Sequence, residues 1–293
     1  MVDCIIVGAS MAGVSAALTL QANGKTFLLF GAKSVSPKVE KAEVIHNYVG
    51  LPDVSGKDFQ RAVQTQLALA NIDVLEERVT GVYSMKEKFV VTTSENRTYE
   101  SKSVVLACGV ETVKAVDGEE TFAGRGVSYC ATCDGFLYRG KKVAVLCTSK
   151  AFEGEVSHLA HFAEKVYLFA LYKDVAISQE NVEIIRRMPT KVNGGLRVET
   201  VSYKDGGEEK TLSVDGVFIV KESLSPSALV GGLETENGHV KVARDCSTNL
   251  TGLFAAGDVT GRPYQYAKAV GEGNVAAHSV CAYLDGVRSE RKE

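Results

Sequence analysis

Short runs of apolar residues, bounded by glycine or by polar turns, recur along this chain and predict buried strands. The first run, Cys4–Val7, leads into a glycine-rich turn and then into a helical pattern over Val14–Leu20. A second run, Thr26–Phe30, follows that helix. Strands that alternate with helices in this way are typical of an α/β protein with a parallel sheet.

Similar patterns continue to the end of the chain. Further strands are predicted at Val104–Cys108, Val143–Cys147, Val166–Ala170, Leu196–Tyr203, Gly216–Val220 and Leu253–Asp258. Helices are predicted over Phe152–Phe162 and after Val259, the latter with Val270 and Val275 on its packing face. The runs Asn193–Gly195 and Asp205–Gly207 predict hairpin turns.

Composition agrees with a globular protein of about two domains. The 293 residues are 45% hydrophobic and 24% charged, which is enough apolar material for a large core. The net charge of −3 gives no reason to expect nucleic acid as a partner. Neither a signal peptide nor a membrane-spanning run is expected, since no charged segment precedes the first strand and no apolar stretch approaches about 20 residues. A cytoplasmic protein is therefore expected.

The turn Gly8-Ala9-Ser10-Met11-Ala12-Gly13 lies between a predicted strand and a predicted helix. In a dinucleotide-binding site, Gly8 would permit the tight turn, Ser10 would let the backbone approach a phosphate, and Gly13 would allow close helix–strand packing. An ordinary strand–helix turn is the alternative. The second strand ends in Gly31-Ala32-Lys33 without an acidic residue, so the pattern does not say which dinucleotide binds.

The strand that contains Leu253–Ala256 ends in Gly257-Asp258. A carboxylate at the carboxyl edge of a strand is well placed to accept hydrogen bonds from sugar-like hydroxyls. The alternative for Asp258 is a cap at the start of the next helix.

The segment Cys130-Ala131-Thr132-Cys133-Asp134-Gly135 carries the strongest chemical signal. A Cys-x-x-Cys pair with an adjacent carboxylate is typical of a dithiol that is oxidised and reduced in each turnover. A structural disulfide and half of a zinc site are the alternatives. The remaining cysteines are scattered singly at Cys4, Cys108, Cys147, Cys246 and Cys281, as expected in a reducing compartment.

Together, Gly8–Gly13, Asn47–Gly50, Ala107–Gly109, Cys130–Gly135 and Ala255–Asp258 resemble the low-molecular-weight thioredoxin reductases, in the order of that family and over nearly the whole chain. The resemblance implies FAD in the first domain, with its pyrophosphate at Gly8–Gly13 and its ribityl chain at Asp258. The other implied cofactor-binding positions are Gly31, Asn47, Ala107, Gly109, Gly257, Gln265, Tyr266 and Ala267. Gln265-Tyr266-Ala267 departs from the Arg-Gln-Ala that the family usually has beside the flavin ring.

The same resemblance implies two Rossmann-like domains and a homodimer. The FAD domain is predicted at residues 1–113 and 246–293, and a smaller insert that carries the dithiol at 114–245. Rotation of the insert about linkers near 113–115 and 244–246 would let the dithiol face first the flavin and then a protein partner.

The insert lacks three features with which the family binds NADPH. The turn after its first strand, Leu146–Phe152, contains no glycine, and no arginine pair follows Phe169–Asp174. Ile219–Glu222 replaces a glycine-containing turn. NADPH binding is therefore not expected, and the pattern is similar to the ferredoxin-dependent flavin thioredoxin reductases. The alternatives are an NADPH-dependent thioredoxin reductase with an unusual pocket and a non-enzymatic flavin redox sensor.

By the family pattern, Cys133 faces the flavin, Cys130 attacks the disulfide of thioredoxin, and Asp134 acts as the general acid. The alternative for Asp134 is a turn residue before Gly135. Two clusters could dock an acidic ferredoxin or could simply be solvated, namely Lys33, Lys38 and Lys41, and Arg139, Lys141 and Lys142. No metal site is expected, because His158 and His161 have no further ligand at a suitable spacing.

Overall fold

In the computed structural model the apolar runs form strands of two parallel sheets. The structure describes residues 1–34, 39, 42–110, 116–221 and 224–290, the last four without their side chains. The strands in chain order are β1 (Val2–Val7), β2 (Phe27–Phe30), β3 (Val74–Leu75), β4 (Val79–Ser84), β5 (Phe89–Thr93), β6 (Thr98–Leu106), β7 (Val127–Ser128), β8 (Lys142–Cys147), β9 (Lys165–Ala170), β10 (Val182–Ile185), β11 (Pro189–Gly194), β12 (Val198–Asp205), β13 (Glu208–Ser213), β14 (Gly216–Val220), β15 (Thr235–Glu236), β16 (His239–Val240) and β17 (Leu253–Ala255).

Helices connect only some of these strands, and the last helix follows β17. The α-helices are α1 (Met11–Ala22), α2 (Gly56–Leu69), α3 (Ala131–Asp134), α4 (Glu153–Ala160), α5 (Pro226–Leu229) and α6 (Tyr266–Glu290). Short 3₁₀ segments occupy Gly135–Tyr138, Lys150–Phe152 and Gly257–Thr260. Among the described residues, no helix combines the length and the apolar character needed to cross a membrane.

The first sheet has the order β3-β2-β1-β6-β5-β4, and β17 pairs with β6. β2, β1, β6 and β17 run parallel, whereas β5 is antiparallel to β6. β6 pairs with β1 on one side, and on its other side its first residues pair with β5 and its last residues with β17. The helices α1 and α6 pack closely, since a Cβ added at Gly273 would overlap with the carbonyl oxygen of Ala12. This arrangement confirms the predicted α/β class.

The second parallel sheet has the order β10-β9-β8-β14-β7. Its core includes the fully buried side chains of Val145, Leu168 and Phe218, and Val156 and Leu159 of α4 pack against it. A separate antiparallel sheet, β11-β12-β13, turns at Asp205–Gly207 as predicted. The predicted helix Phe152–Phe162 is shorter than expected, because a 3₁₀ turn precedes α4.

The chain divides into two compact units. The first contains residues 1–92, 98–110 and everything from 225 onward, and the second contains 93–97 and 111–224. The second unit thus ends at Leu224, whereas the predicted insert runs to residue 245. Residues after Leu224 add to the first unit because Val230 forms a parallel bridge with Val82 of β4. The predicted linker at 113–115 lies outside the described residues, so its hinge role stays a prediction.

Asp3 ties β1 to β6 and to the residue that precedes β2. Its carboxylate accepts hydrogen bonds from the backbone and the hydroxyl of Thr26, at 3.0 and 2.8 Å, and from Lys102 Nζ at 2.7 Å. Burial by itself would raise the pKa of Asp3, but the hydrogen bonds from Lys102 and Thr26 outweigh it and lower the pKa to about 2. The charged form of Asp3 therefore stabilises the start of β1.

The Asp3→Asn variant should lower the free energy of unfolding at neutral pH by about 1–2 kcal/mol. The folded-state pKa lies below the value of 3.8 expected for the unfolded chain, so this contribution is complete above pH 4. It is lost as the pH falls from 4 towards 2, where the variant and the parent should converge. Unfolding curves measured at several pH values test this.

Asp285→Asn is the matched control, because Asp285 pairs with Lys25 but its side chain is 63% exposed. It should change stability by less than about 0.5 kcal/mol. A constant difference between Asp3→Asn and the parent from pH 7 to pH 2 would contradict the assignment.

Candidate functional site

The carboxyl ends of β1 and β6 form the point at which the strand order of the first sheet reverses. Ligands of open parallel sheets bind in the crevice at such a point. Gly8 follows β1 with a φ of +113°, and a Cβ there would overlap with the carbonyl oxygen of Ala107 after β6. A Cβ at Gly13 would overlap with the carbonyl oxygen of Gly8. Both glycines are therefore required by close backbone approach.

This crevice faces the N-terminus of α1. In the described structure the side chain of Ser10, the cap residue, makes no capping hydrogen bond, and the first turn contains no acidic residue. The first amide groups of a helix lack intrahelical partners and carry partial positive charge. The end of α1 is thus suited to bind an anion such as a pyrophosphate.

A cavity at this edge brings most of the predicted cofactor residues together. It is lined by Ser10, Met11, Ala12, Ala107, Gly109, Ala256, Gly257, Asp258, Tyr264, Gln265, Tyr266 and Ala269. Gly109 follows β6 with a φ of +70°, and a Cβ there would meet no atom within 4 Å. The sequence analysis missed four of the lining residues, namely Met11, Ala256, Tyr264 and Ala269.

The other predicted cofactor residues lie beside the cavity. Ala9 is buried, and a Cβ at Gly31 would overlap with it. Asn47 Nδ2 donates a hydrogen bond of 2.9 Å to Gln265 Oε1. Ala267 is exposed on the first turn of α6 and does not line the cavity. The cofactor roles of all these residues stay predictions.

Asp258 lies in a turn that α6 holds in place. Lys268 Nζ donates to the carbonyl oxygens of Gly257 and Gly261 at 2.9 and 2.8 Å. Glu272 Oε2 accepts a hydrogen bond of 2.8 Å from the backbone of Gly257. The alternative of Asp258 as the cap of the following helix is wrong, because α6 begins only at Tyr266.

Tyr266 shares the cavity with Asp258. Burial, followed by the negative charge of Asp258, raises the pKa of the Tyr266 hydroxyl above its usual range. The phenol is therefore neutral at physiological pH.

Cys130 and Cys133 form a disulfide, with their Cα atoms 5.3 Å apart. Sulfur atoms that are bonded to each other are not ligands of a structural zinc, so the zinc alternative is not supported. Cys130 caps α3, because its Sγ accepts a hydrogen bond of 3.2 Å from the backbone of Cys133. The carbonyl oxygen of Thr93 lies 4.0 and 3.9 Å from the two sulfurs. Cys130 is 5% exposed, whereas Cys133 is only partly buried.

Asp134 ends α3 and turns back towards the strand before it. Its Oδ2 lies 2.7 Å from the hydroxyl of Ser128 in β7. The side chain makes no capping hydrogen bond to the 3₁₀ segment that follows. Both roles predicted for Asp134, the general acid and the turn residue before Gly135, stay predictions.

The other cysteines carry thiols. Burial raises the pKa of Cys4 to about 12 and those of Cys147 and Cys246 to about 11. Because the thiolate is the reactive form, these thiols are poor nucleophiles at neutral pH. Their burial is in keeping with the prediction that Cys130 and Cys133 are the redox-active pair.

The second parallel sheet has its own reversal point, at the carboxyl ends of β8 and β14. Here Ser149 accepts a hydrogen bond of 3.3 Å from the backbone of Ala151. The first turn of α4 holds two carboxylates, Glu153 and Glu155. Glu153 accepts hydrogen bonds of 2.9 Å from the hydroxyl of Tyr172 and from the backbone of Ala176. Negative charge already occupies the helix end at which a phosphate would bind.

A buried ion pair lies at the end of β14. Lys221 Nζ lies 2.8 Å from Glu119 Oε1, and the two side chains are 2% and 1% exposed. Glu119 Oε2 accepts a further hydrogen bond of 3.0 Å from the backbone of Val116. A long charged side chain thus stands at the strand end where the sequence resemblance led us to expect a glycine-containing turn.

The basic clusters are only partly described. Lys33 pairs with Glu76 at 3.1 Å, and both side chains are exposed, whereas Lys38 and Lys41 lie outside the described residues. Arg139 lies 5.2 Å from the ring centre of Phe162. Lys141 lies over Tyr138 in the same way, at 5.5 Å. The docking role of these clusters stays a prediction.

The histidines of α4 have ordinary neighbours. His158 packs edge-on against Phe162, with ring centres 5.1 Å apart. His161 Nδ1 lies 2.7 Å from the carbonyl oxygen of Ser157. Within the described ranges, no group of three or more histidine, cysteine or carboxylate side chains is arranged to hold a metal ion.

Known proteins are similar to this chain over most of its length. Residues 2–149 and 169–273 match the pyridine nucleotide-disulphide oxidoreductase family. The thioredoxin reductase of Listeria innocua is 31% identical over an alignment of 309 positions, which covers 98% of this chain and 95% of that protein. The crystal structure of a ferredoxin-flavin thioredoxin reductase from Clostridium acetobutylicum is 40% identical, with a TM-score of 0.87, and the match covers 97% of this chain and 98% of that one.

A thioredoxin reductase from Gloeobacter violaceus is 25% identical with a TM-score of 0.76, and the match covers 97% of this chain and 94% of that one. Family match, shared fold and near-complete coverage agree with the glycine crevice and the Cys130–Cys133 disulfide. The chain belongs to the pyridine nucleotide-disulphide oxidoreductase family and, within it, to the low-molecular-weight thioredoxin reductases.

Proposed function

We propose that this protein is a flavin-dependent thioredoxin reductase that takes electrons from reduced ferredoxin and passes them through FAD and the Cys130–Cys133 disulfide to thioredoxin. One observation carries the proposal. At the edge of the first sheet a cavity adjoins a helix end without acidic residues, whereas at the equivalent edge of the second sheet the first helix turn holds Glu153 and Glu155 and the strand end carries the buried Lys221–Glu119 pair.

The first crevice fits FAD. The uncapped end of α1 would hold the pyrophosphate, and Asp258 would accept hydrogen bonds from the hydroxyls of the ribityl chain. Lys268 and Glu272 fix the turn that carries Asp258. FAD supplies one function that side chains do not, since it accepts electrons singly and delivers them in pairs.

The second crevice does not fit NADPH. A pyrophosphate there would meet Glu153 and Glu155 in the first turn of α4, so the helix dipole is already neutralised. The buried Lys221–Glu119 pair fills the facing strand end. We therefore infer that NADPH does not bind. The relative from Clostridium acetobutylicum, which is described as a ferredoxin-flavin thioredoxin reductase, supports ferredoxin as the donor.

The energetics permit this donor. Plant-type ferredoxins have potentials near −400 mV and thioredoxin near −270 mV. A gap of about 130 mV over two electrons corresponds to roughly 6 kcal/mol in favour of thioredoxin reduction.

The proposal also includes a homodimer, as the resemblance described above implies, and a cytoplasmic location.

The dithiol and Asp134 would complete the reaction by thiol–disulfide exchange. The Cys130 thiolate attacks the thioredoxin disulfide and forms a mixed disulfide, and the departing thioredoxin thiolate takes a proton from Asp134. Cys133 then attacks Cys130 and releases reduced thioredoxin, so two electrons leave the dithiol as the Cys130–Cys133 bond re-forms. Because Cys130 is 5% exposed, it must become accessible before it meets a protein disulfide.

Reduced ferredoxin should bleach the flavin absorbance of the anaerobic holoprotein, and NADPH at millimolar concentration should not. Dithionite is the control, since it should bleach the flavin in either case and show that the cofactor is competent. Full bleaching by stoichiometric NADPH would contradict the proposal and support the NADPH-dependent alternative. Bleaching by ferredoxin without any transfer to thioredoxin would support the sensor alternative.

The Cys133→Ser variant, once reduced, should form a stable mixed disulfide with thioredoxin, because Cys130 attacks and no second thiol resolves the intermediate. Non-reducing electrophoresis and mass spectrometry detect the adduct. Cys130→Ser is the matched control and should form little adduct. If only Cys130→Ser is trapped, the roles of the two sulfurs are reversed.

Asp258→Asn should weaken FAD binding by about 10–100-fold, because hydrogen bonds to a charged acceptor are worth about 1.5–3 kcal/mol. Flavin absorbance relative to protein absorbance after dialysis measures the loss. Asp245→Asn changes an exposed carboxylate outside the cavity of the same unit and should retain the flavin. Equal flavin content in both variants would exclude this role for Asp258.

A further inference from the structure

Ser128 is a buried polar residue that the proposed mechanism does not use. It ends β7 and is 6% exposed. β7 pairs in parallel with β14, with Phe218 opposite Ser128. The backbone that carries this hydroxyl is therefore fixed by the sheet, two residues before the disulfide.

The Ser128 hydroxyl has three polar neighbours. Its Oγ lies 2.7 Å from Asp134 Oδ2 and 3.3 Å from the carbonyl oxygen of Cys130, and it accepts a hydrogen bond of 3.1 Å from the backbone of Cys130. A hydroxyl has one hydrogen and two lone pairs. The single hydrogen therefore has two acceptors, and the shorter distance favours the carboxylate of Asp134.

Both protonation states of Asp134 are satisfied by this arrangement. When Asp134 is ionised, Ser128 donates to it. When Asp134 is protonated, its O–H donates to the second lone pair of Ser128 Oγ, and the Ser128 hydrogen turns to the carbonyl oxygen of Cys130. Neither state leaves a buried polar group without a partner, which would cost stability.

We propose that Ser128 is the positioning residue for Asp134. Ser128 holds the carboxyl group of Asp134 beside the disulfide. It donates a hydrogen bond to the ionised carboxylate and accepts one from the protonated carboxyl group. This proposal rests on the proposed role of Asp134 as the general acid. In that step the Asp134 O–H bond breaks and an S–H bond forms on the departing thioredoxin thiolate. Water then returns the proton to Asp134, and the electrons move only by thiol–disulfide exchange.

The test uses holoprotein that has been reduced with dithionite, freed of excess reductant and mixed anaerobically with oxidised thioredoxin. Ser128→Ala should lower the limiting rate about tenfold and leave the half-saturating thioredoxin concentration unchanged. Ser128→Thr keeps the hydroxyl and should restore the rate to within about threefold. Ser202→Ala is the matched control, because Ser202 is a buried strand serine of the same unit that bonds to Thr211.

Two further measurements separate positioning from a general structural effect. Asp134→Asn should lower the rate about 10²-fold, and adding Ser128→Ala should lower it no further, because both act through one group. With dithionitrobenzoate, whose aromatic thiolate leaves without a proton, Ser128→Ala should react at the parental rate.

The outcomes are distinct. Equal losses in Ser128→Ala and Ser202→Ala, a full additional loss in the double variant, or an equal loss with dithionitrobenzoate would each overturn the role of Ser128. If the parent reacts with dithionitrobenzoate but not with thioredoxin, the proposed function itself fails, and the role of Ser128 fails with it.

Discussion

The contact between Gly13 and the carbonyl oxygen of Gly8 is the constraint on which the first unit depends. It leaves no room for a Cβ, so α1 lies directly against the turn that follows β1. This contact points the unpaired amides of α1 into the crevice between β1 and β6. The tight packing of α6 on α1 then brings Asp258 to the opposite wall of the same cavity. Backbone proximity, more than any single side chain, creates this cavity.

The two parallel sheets have similar reversal points but differ in the helix end beside each one. Each has a reversal point with a helix N-terminus beside it. In the first unit the first turn of that helix lacks acidic residues, whereas in the second a 3₁₀ turn capped by Ser149 precedes the helix, whose first turn holds Glu153 and Glu155. Charge at the helix end, more than strand order, favours or disfavours a phosphate at such an edge. The second unit instead has a sheet that carries the Cys130–Cys133 disulfide.

Features with local signals were predictable from the sequence, and features that depend on distant residues were not. Buried runs next to glycine identified β1, β6 and β17, because apolar strands and glycine turns are encoded by neighbours in the chain. The cavity-lining residue in the first turn of α6 was harder to predict, since Ala267 is exposed whereas Ala269, two residues later, lines the cavity. Tyr264 lines the cavity only because of the path of the preceding turn. Lys221 and Glu119 are separated by 102 residues, so no sequence pattern indicates their contact.

That distant pair also has an evolutionary consequence. Removing either charge alone would strand the other in an apolar interior, at a cost of about 3–5 kcal/mol, which is a large part of the stability of most domains. Any lineage that carries Lys221 and Glu119 must therefore change both at once, or first gain stability elsewhere, before this strand end becomes available for another purpose. The pair therefore resists single substitutions, since replacing Lys221 or Glu119 alone carries this loss of stability.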